Sequence, residues 1–258
     1  MLVNPVKQKL SAGGVALGSM VFEFDSPGIS RIAGHAGAEF LIFDMEHTGW
    51  SVETIRRLIA TTPRSGPLPF VRVPAVEYHF IARVLDMGAA GLMFPMVETV
   101  EQARRIVNSA KYPPMGRRGA AFGVAHDDYA GTDILATMRA ANEQGLLIAQ
   151  IETRAGLENV DAIAAVEGID VLWIGQFDLS NSLGIPGEFD HPEFQSAVDR
   201  VLAACKTHNK AAGYMGLDAA DGRTQIDRGF RAIAFSGDLW IYQQELRAGL
   251  AELREHLR

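Results

Sequence analysis

Two acidic residues suggest a metal site in this chain. Glu152 and Asp178 each follow an apolar run that is typical of a buried strand. Carboxylate oxygens are ligands that Mg²⁺, Mn²⁺ and Co²⁺ accept, and two of them leave positions open for water or for a chelating 2-oxo acid. The alternative is that both acids form ion pairs with Arg72 or Arg154.

A histidine that could act as a base lies close to another acid. Asp44 and His47 stand at the end of a third strand-like run. A carboxylate can orient an imidazole and make it more basic, and histidine titrates near neutral pH. We therefore interpret Asp44 and His47 as a general-base pair. The alternative is that His47 is a capping or loop residue.

Arg72 ends a further strand-like run, between Val71 and Val73. A cation in such a place is costly unless it has an anionic partner. A guanidinium group there can stabilise the oxygen of an enolate as negative charge develops on it. The alternative is a structural salt bridge to Glu46 or Glu152.

Two further features are weaker signals of function. Gly175, Gln176 and Phe177 directly precede Asp178, and their backbone N–H groups could bind a carboxylate. Asp86, near the end of a predicted helix, is a further candidate partner for His47. Its alternative reading is a solvated acid on a helix surface.

The segments that must position these residues alternate between strand and helix patterns, which is typical of a parallel α/β sheet. The predicted strands are 14–21, 40–45, 69–73, 92–94, 146–151, 170–174, 211–215 and 232–235. The predicted helices are 27–37, 51–62, 77–87, 99–110, 133–143, 156–166, 192–208, 219–228 and 239–257. The pattern predicts one (β/α)8 TIM barrel domain over residues 1–258, with its chemistry at the carboxyl ends of the strands. An open doubly wound sheet is the alternative, but the glycine-rich phosphate-binding turn after the first strand is missing.

Composition and charge exclude several classes of protein. Hydrophobic residues make up 48% of the 258 residues, which is enough for a large core. The single cysteine, Cys205, excludes an intramolecular disulfide and a cysteine-based zinc cluster. No apolar run approaches about 18 residues, so we expect a cytoplasmic protein without a membrane span. A net charge of −7 without a basic patch argues against nucleic acid as a partner.

Six segments follow one another along the chain: FDMEH, FVRVP, GLMFPMVET, YPPMGRRGAA, QIETRAGLEN and WIGQFDLSNSLGIPG. In this combination, from about residue 14 onward, the chain resembles the HpcH/HpaI aldolases. These are class II, metal-dependent pyruvate aldolases, and macrophomate synthase is a relative. The resemblance implies a barrel of the phosphoenolpyruvate/pyruvate type that exchanges its last helix between subunits. It also implies a homohexamer, a trimer of swapped dimers.

The resemblance also implies a role for each matching residue. Glu152 and Asp178 would hold the divalent metal, and His47, supported by Asp44, would be the base. Arg72 would bind the C2 oxygen of pyruvate and stabilise its enolate. The remaining substrate-binding positions implied are Gly175, Gln176, Phe177 and, in an active-site loop, Arg118.

The chain departs from the family pattern on the side of the pocket that should accept the aldehyde. Gln176 and Phe177 stand where many relatives have proline and a small residue. The segment 122–131 lacks the Ala-Arg-Ala-Ser-like stretch, and the first strand lacks a common tryptophan. The resemblance therefore implies the type of reaction more strongly than the identity of the aldehyde.

The expected reaction is reversible aldol cleavage of a 4-hydroxy-2-oxo acid to pyruvate and an aldehyde. No lysine ends a strand as a Schiff-base aldolase would need, since Lys111 and Lys210 fall at helix ends or in loops. One alternative is an oxaloacetate decarboxylase or a macrophomate-synthase-like enzyme that forms carbon–carbon bonds through the same enolate. A non-catalytic barrel that binds a 2-oxo acid is the other, and the combination of a base, an arginine and two metal-binding acids counts against it.

Overall fold

Eight parallel strands close into a barrel in the computed structural model, which describes residues 3–131 and 133–258. Each strand pairs with the next along the chain, and the eighth pairs with the first. The strands are β1 Ala16–Val21, β2 Phe40–Asp44, β3 Leu68–Arg72, β4 Gly91–Phe94, β5 Leu146–Ile151, β6 Val171–Ile174, β7 Ala211–Gly216 and β8 Ala232–Gly237. The predicted (β/α)8 barrel is confirmed, and the open doubly wound sheet is not formed.

Helices surround the barrel and return the chain from the end of one strand to the start of the next. They are α1 Pro5–Ser11, α2 Ile29–His35, α3 Val52–Thr61, α4 Tyr78–Asp86, α5 Val100–Ala110, α6 Ile134–Gln144, α7 Arg154–Glu158, α8 Val160–Ala164, α9 Gln176–Ser182, α10 Pro192–Thr207, α11 Ala219–Arg228 and α12 Asp238–His256. A short 3₁₀ helix spans Ala125–Asp127. Side-chain caps fix several helix starts: the Ser51 hydroxyl accepts from the Thr54 amide, and Thr99 forms a capping box with Gln102.

The structure differs from the predicted elements in three places. Helix α1 was not predicted, although Asn4 caps it by accepting from the Lys7 amide. The single helix predicted at 156–166 is two short helices that meet at Asn159, whose side chain donates to the Glu98 carbonyl. No helix was predicted between β6 and residue 192, where the structure has helix α9, so Asp178 lies in a first helical turn.

Apolar side chains fill the barrel interior and the layer between strands and helices. Inside the barrel, Phe40 and Phe70 stack with ring centroids 5.4 Å apart. Trp173 lies over Gly213 so closely that a Cβ at that position would collide with its ring. The two layers fix the strands, and with them the side chains at the strand ends.

The last helix packs at one end only. Asp238 at its start is buried, whereas Leu246, Leu250 and Leu253 further along are exposed. Among the helices of the described residues, none is both long enough and apolar enough to cross a membrane.

Candidate active site

A cavity of about 310 Å³ opens at the carboxyl ends of the strands. Its lining includes six of the residues that the sequence indicated: His47, Arg72, Gly175, Gln176, Phe177 and Asp178. The other lining residues are Met20, Phe22, Met93, Gln150, Trp173, Ile174, Met215 and Trp240. The cavity therefore brings together side chains from strand ends that are far apart in the sequence.

Glu152 lies beneath this cavity with its side chain almost fully buried. Its Oε1 accepts from the Met96 amide at 2.6 Å, and its Oε2 accepts from the Gln150 side-chain amide. Burial is the main reason that the pKa of Glu152 is raised to about 7; the hydrogen bond from the Met96 amide opposes the shift, and the charges of Glu46 and Asp178 add to it. Among the described residues, no lysine, arginine or histidine nitrogen lies within 4.0 Å of its carboxylate. The ion-pair alternative for Glu152 is therefore wrong.

The turn between β6 and α9 places Asp178 at the cavity. A Cβ on Gly175 would collide with the Glu152 carboxylate and stand 2.6 Å from the Gln150 amide nitrogen, so only glycine lets the chain pass here. The Gln176 side chain is buried and donates to the Met215 carbonyl at 2.9 Å. That bond ties the turn to the end of β7 and leaves the Gln176 backbone, rather than its amide group, for contact with a substrate.

Arg72 is held by two carboxylates while its side chain lines the cavity. Its Nε donates to Asp44 Oδ1 at 2.5 Å, and its Nη1 lies 3.0 Å from Glu46 Oε2. The strand register sets this arrangement, because Asp44 of β2 pairs directly with Arg72 of β3. The salt bridge to Glu46 considered for Arg72 is present, and it coexists with an open position at the cavity.

The predicted contact between the Asp44 carboxylate and the His47 ring is wrong. Asp44 Oδ2 accepts from the His47 backbone amide at 2.9 Å, which shapes the turn after β2 but does not orient the imidazole. The ring lies instead beside Glu46, with Nε2 3.6 Å from Oε2. Burial raises the pKa of Glu46 to about 7; Arg72 opposes this shift, while Asp44 and Asp178 add to it. Glu46 is therefore the acid that faces the histidine.

Arg118 and Asp86 do not belong to this cavity. They form an ion pair at 2.5 Å, and the Arg118 guanidinium also stacks 4.7 Å from the Tyr112 ring centroid. Arg118 lines a different cavity that includes Leu68, where β3 begins, and Gly145, directly before β5, at the amino end of the barrel. Within one chain neither residue reaches the cavity that His47 lines, and the roles implied for Arg118 and Asp86 stay predictions.

Several residues of the site were given no catalytic or binding role by the sequence. Glu46 was named only as a possible salt-bridge partner of Arg72, and Gln150 lies on β5, two positions before Glu152. Phe22 and Trp240 come from opposite ends of the chain and meet edge to face, with ring centroids 5.1 Å apart. No local pattern indicates this last contact.

The acidic part of the site fits a divalent cation with open coordination positions. The buried Glu152 carboxylate has no direct cationic partner in the described structure, and the buried Gln150 Oε1 beside it has no hydrogen-bond partner there. Within residues 3–131 and 133–258, no three His, Cys, Asp or Glu side chains form a ready-made metal cluster. Glu152 and Asp178, with Gln150 Oε1, are the oxygen donors that could hold such an ion.

The model of the HpcH/HpaI aldolase/citrate lyase family matches residues 19–242. The chain belongs to this family. Among curated members, 2-keto-3-deoxy-L-rhamnonate aldolase of Salmonella gallinarum is 35% identical over 97% of this chain and 93% of its own length. Hydroxypyruvate/pyruvate aldolase of Roseobacter denitrificans is 35% identical over 92% of each chain. The HpcH/HpaI protein described here is accordingly an enzyme of the carbon–carbon lyase class.

Solved structures of the family share the fold. An HpcH/HpaI aldolase from Desulfitobacterium hafniense superposes with a TM-score of 0.92, at 33% identity over 96% of both chains. Macrophomate synthase superposes with a TM-score of 0.85, at 28% identity over 97% of this chain and 88% of its own. The resemblance to the family and to macrophomate synthase is therefore confirmed.

Proposed function

We propose that this HpcH/HpaI protein is a metal-dependent pyruvate aldolase that reversibly cleaves a 4-hydroxy-2-oxo acid into pyruvate and an aldehyde. The observation that carries the proposal is that Asp178, Arg72 and His47 line one cavity and that the buried Glu152 carboxylate lies directly against its Gly175 lining. The relatives named as aldolases for 2-keto-3-deoxy-L-rhamnonate and for hydroxypyruvate and pyruvate support the same reaction class.

Arg72 stabilises the enolate in this proposal. Cleavage of the C3–C4 bond leaves an electron pair on C3, and the charge is delocalised onto the C2 oxygen. The Arg72 guanidinium is fixed by Asp44 and Glu46 before the reaction begins, so it need not reorganise as the charge appears. The backbone around Gly175 and Phe177 receives the pyruvate carboxylate.

His47 moves the proton. It accepts the proton of the C4 hydroxyl as the C3–C4 bond breaks and the aldehyde forms. Glu46 stabilises the resulting imidazolium, since its Oε2 is 3.6 Å from the ring Nε2. The enolate is then protonated at C3 to give pyruvate.

Glu152 and Asp178 hold the divalent metal, which we propose to be Mg²⁺, Mn²⁺ or Co²⁺. When bound, the ion supplies a positive charge that stabilises the enolate and aligns the 2-oxo acid. The chain itself contributes the exposed Asp178 carboxylate and the buried Glu152 carboxylate, whose burial strengthens its attraction for a cation.

Removal of metal tests this proposal directly. We expect exhaustive EDTA treatment to abolish pyruvate release from a generic 4-hydroxy-2-oxo acid, and Mg²⁺, Mn²⁺ or Co²⁺ to restore it. The measurement is pyruvate formation, with far-ultraviolet circular dichroism as the control that the barrel stays folded. Full activity of the EDTA-treated, metal-free protein would contradict the metal mechanism.

Oxaloacetate decarboxylation, or bond formation from its enolate, is the second candidate function. The structural likeness to macrophomate synthase favours it, and the same Arg72 and acid pair would stabilise the same enolate. Pyruvate release from oxaloacetate, measured beside retro-aldol cleavage, compares the two. A protein that binds 2-oxo acids but performs neither reaction would be the non-catalytic barrel.

We further propose that the protein forms a homo-oligomer, a hexamer of swapped dimers, through its last helix. The exposed leucines of α12 lie on one face of the helix and have no apolar cover in the described chain.

We expect Leu246→Asp/Leu253→Asp to lower the mass measured by light scattering. The control, Gln244→Asp/Ala248→Asp, adds the same charge on the opposite face and should leave the mass unchanged. Equal masses for both variants would contradict the proposal.

A further inference from the structure

The cavity has an apolar side that the pyruvate half of the reaction does not use. We propose that this side is the aldehyde subsite and that it takes an aldehyde with an apolar, uncharged side chain, aliphatic or aromatic. This inference rests on the proposed aldolase function and specifies its second substrate. Acidic and polyhydroxylated aldehydes are the competitors against which the subsite discriminates.

The two sides of the cavity come from different parts of the barrel. Glu152 follows β5 and Asp178 follows β6, whereas Phe22 follows β1 and Trp240 follows β8. In the closed strand order, β8 and β1 are neighbours and lie across the barrel from β4 and β5. Phe22 and Trp240, called here the aromatic wall, therefore lie across the barrel from Glu152, and Asp178 stands between, two strands from β8.

The aromatic wall is held firmly in place. Asp238 accepts hydrogen bonds from the backbone amides of Phe22, Glu23 and Phe24, at 2.8, 3.0 and 2.7 Å. A Cβ on Gly237 would stand 2.8 Å from both wall rings, so the rings pack directly on its backbone. The wall therefore presents a fixed apolar surface, and 43% of Trp240 is open to solvent.

A methionine and a second aromatic pair continue this apolar surface. Met215, from the end of β7, lines the cavity, and so does Phe177. Phe177 is half exposed and meets Phe189 edge to face, with ring centroids 5.2 Å apart. An apolar side chain bound here removes apolar surface from water, at roughly 25 cal/mol for each Å² buried.

An acidic side chain would find no counter-charge in this subsite. Among the described residues that line the cavity, none is a lysine, and Arg72 is the one arginine. Arg72 already contacts Asp44 and Glu46, and it binds the C2 oxygen in the proposed reaction. A second carboxylate on the substrate would therefore be left without a counter-charge on the apolar side.

Hydroxyl groups on the aldehyde would find no partner on the apolar side of the cavity. The side chains of Phe22, Phe177 and Met215 offer no strong hydrogen-bond donor or acceptor there. A buried hydroxyl group without a hydrogen bond lowers affinity. The subsite therefore disfavours sugar-derived aldehydes in comparison with apolar aldehydes of similar size.

Aldol addition of pyruvate to three aldehydes tests the inference. We expect kcat/KM for benzaldehyde or 3-methylbutanal to exceed kcat/KM for succinic semialdehyde and for glyceraldehyde by about tenfold or more. Equal or better use of succinic semialdehyde or glyceraldehyde would overturn the inference. Pyruvate release from oxaloacetate needs no aldehyde, so it measures separately whether the site forms and stabilises the pyruvate enolate. If neither reaction occurs, the proposed function itself fails, and the inference fails with it.

Variants of the aromatic wall test whether Trp240 causes the preference for apolar aldehydes. We expect Trp240→Ala to lower kcat/KM for benzaldehyde by about tenfold. The ratio of kcat/KM for benzaldehyde to kcat/KM for succinic semialdehyde falls with it, and Trp240→Phe should retain most of that ratio. Tyr242→Ala is the matched control, because Tyr242 is an exposed aromatic of the same helix that does not line the cavity. An equal fall for every aldehyde and for oxaloacetate in Trp240→Ala would indicate a structural role and overturn the assignment.

Discussion

A Glu152→Gln variant is expected to lose turnover by about a hundredfold or more while becoming more stable than the parent protein at pH 8 in the absence of metal. The two effects have the same origin. A buried carboxylate without a direct cationic partner is costly as an anion, and the neutral amide removes that cost. The same negative charge is what would hold the metal, so its removal abolishes the proposed reaction.

The pH dependence of stability follows from the raised pKa. In the folded protein the pKa of Glu152 is about 7, compared with 4.5 for an ordinary glutamate. Between these values the folded state keeps a proton that the unfolded state has released, so stability falls as pH rises, by up to about 1.4 kcal/mol per pH unit for each such proton. Glu46 contributes in the same direction. Glu152→Gln should therefore flatten this dependence without removing it.

Urea unfolding of the EDTA-treated proteins at pH 5.5 and pH 8 measures the effect, and pyruvate release with added metal measures turnover. Glu158→Gln is the matched control, since Glu158 is an exposed residue of the following helix and should behave as the parent protein. An unchanged slope of stability against pH in Glu152→Gln would show that this carboxylate does not carry the raised pKa.

Arg72→Lys is expected to lower kcat by about 10² to 10³ with a smaller effect on folding. Lysine keeps the positive charge between Asp44 and Glu46 but lacks the planar fork that contacts both and still faces the cavity. We prefer this change to Arg72→Ala, since removing the cation leaves the buried Asp44 and the partly buried Glu46 uncompensated and costs roughly 3–5 kcal/mol of stability.

Steady-state kinetics of oxaloacetate decarboxylation give kcat and KM separately for Arg72→Lys, and this reaction involves no aldehyde. Arg228→Lys is the control, because Arg228 pairs with Asp199 on the barrel surface, away from the cavity. If Arg72→Lys lowered the unfolding midpoint while kcat per folded molecule stayed normal, Arg72 would act only as a structural salt bridge.

The sequence predicted the barrel and most of the strand-end residues because both depend on local patterns. Apolar runs of strand length define where each strand ends, and parallel strands in a closed barrel bring those ends to one opening. This reasoning placed Arg72 and Asp178 at the same cavity before their contacts were known.

The incorrect predictions concern contacts that local patterns do not determine. Asp44 is three residues from His47, but the strand register places its carboxylate against Arg72. The long irregular segment that carries Arg118 likewise does not indicate which end of its own barrel the residue reaches, and the role of Arg118 in substrate binding stays a prediction. Trp240 reaches the cavity only because β8 closes against β1, a pairing between opposite ends of the chain.

The three hydrogen bonds accepted by Asp238 have a consequence for how two copies of this chain could exchange their last helix. These bonds join the start of α12 to the loop after β1 of the same chain, and Trp240 follows two residues later. The point at which one chain crosses to another must therefore lie beyond Trp240. In a swapped dimer, each subunit would give away only the outer turns of its last helix and would keep its own tryptophan at its own substrate.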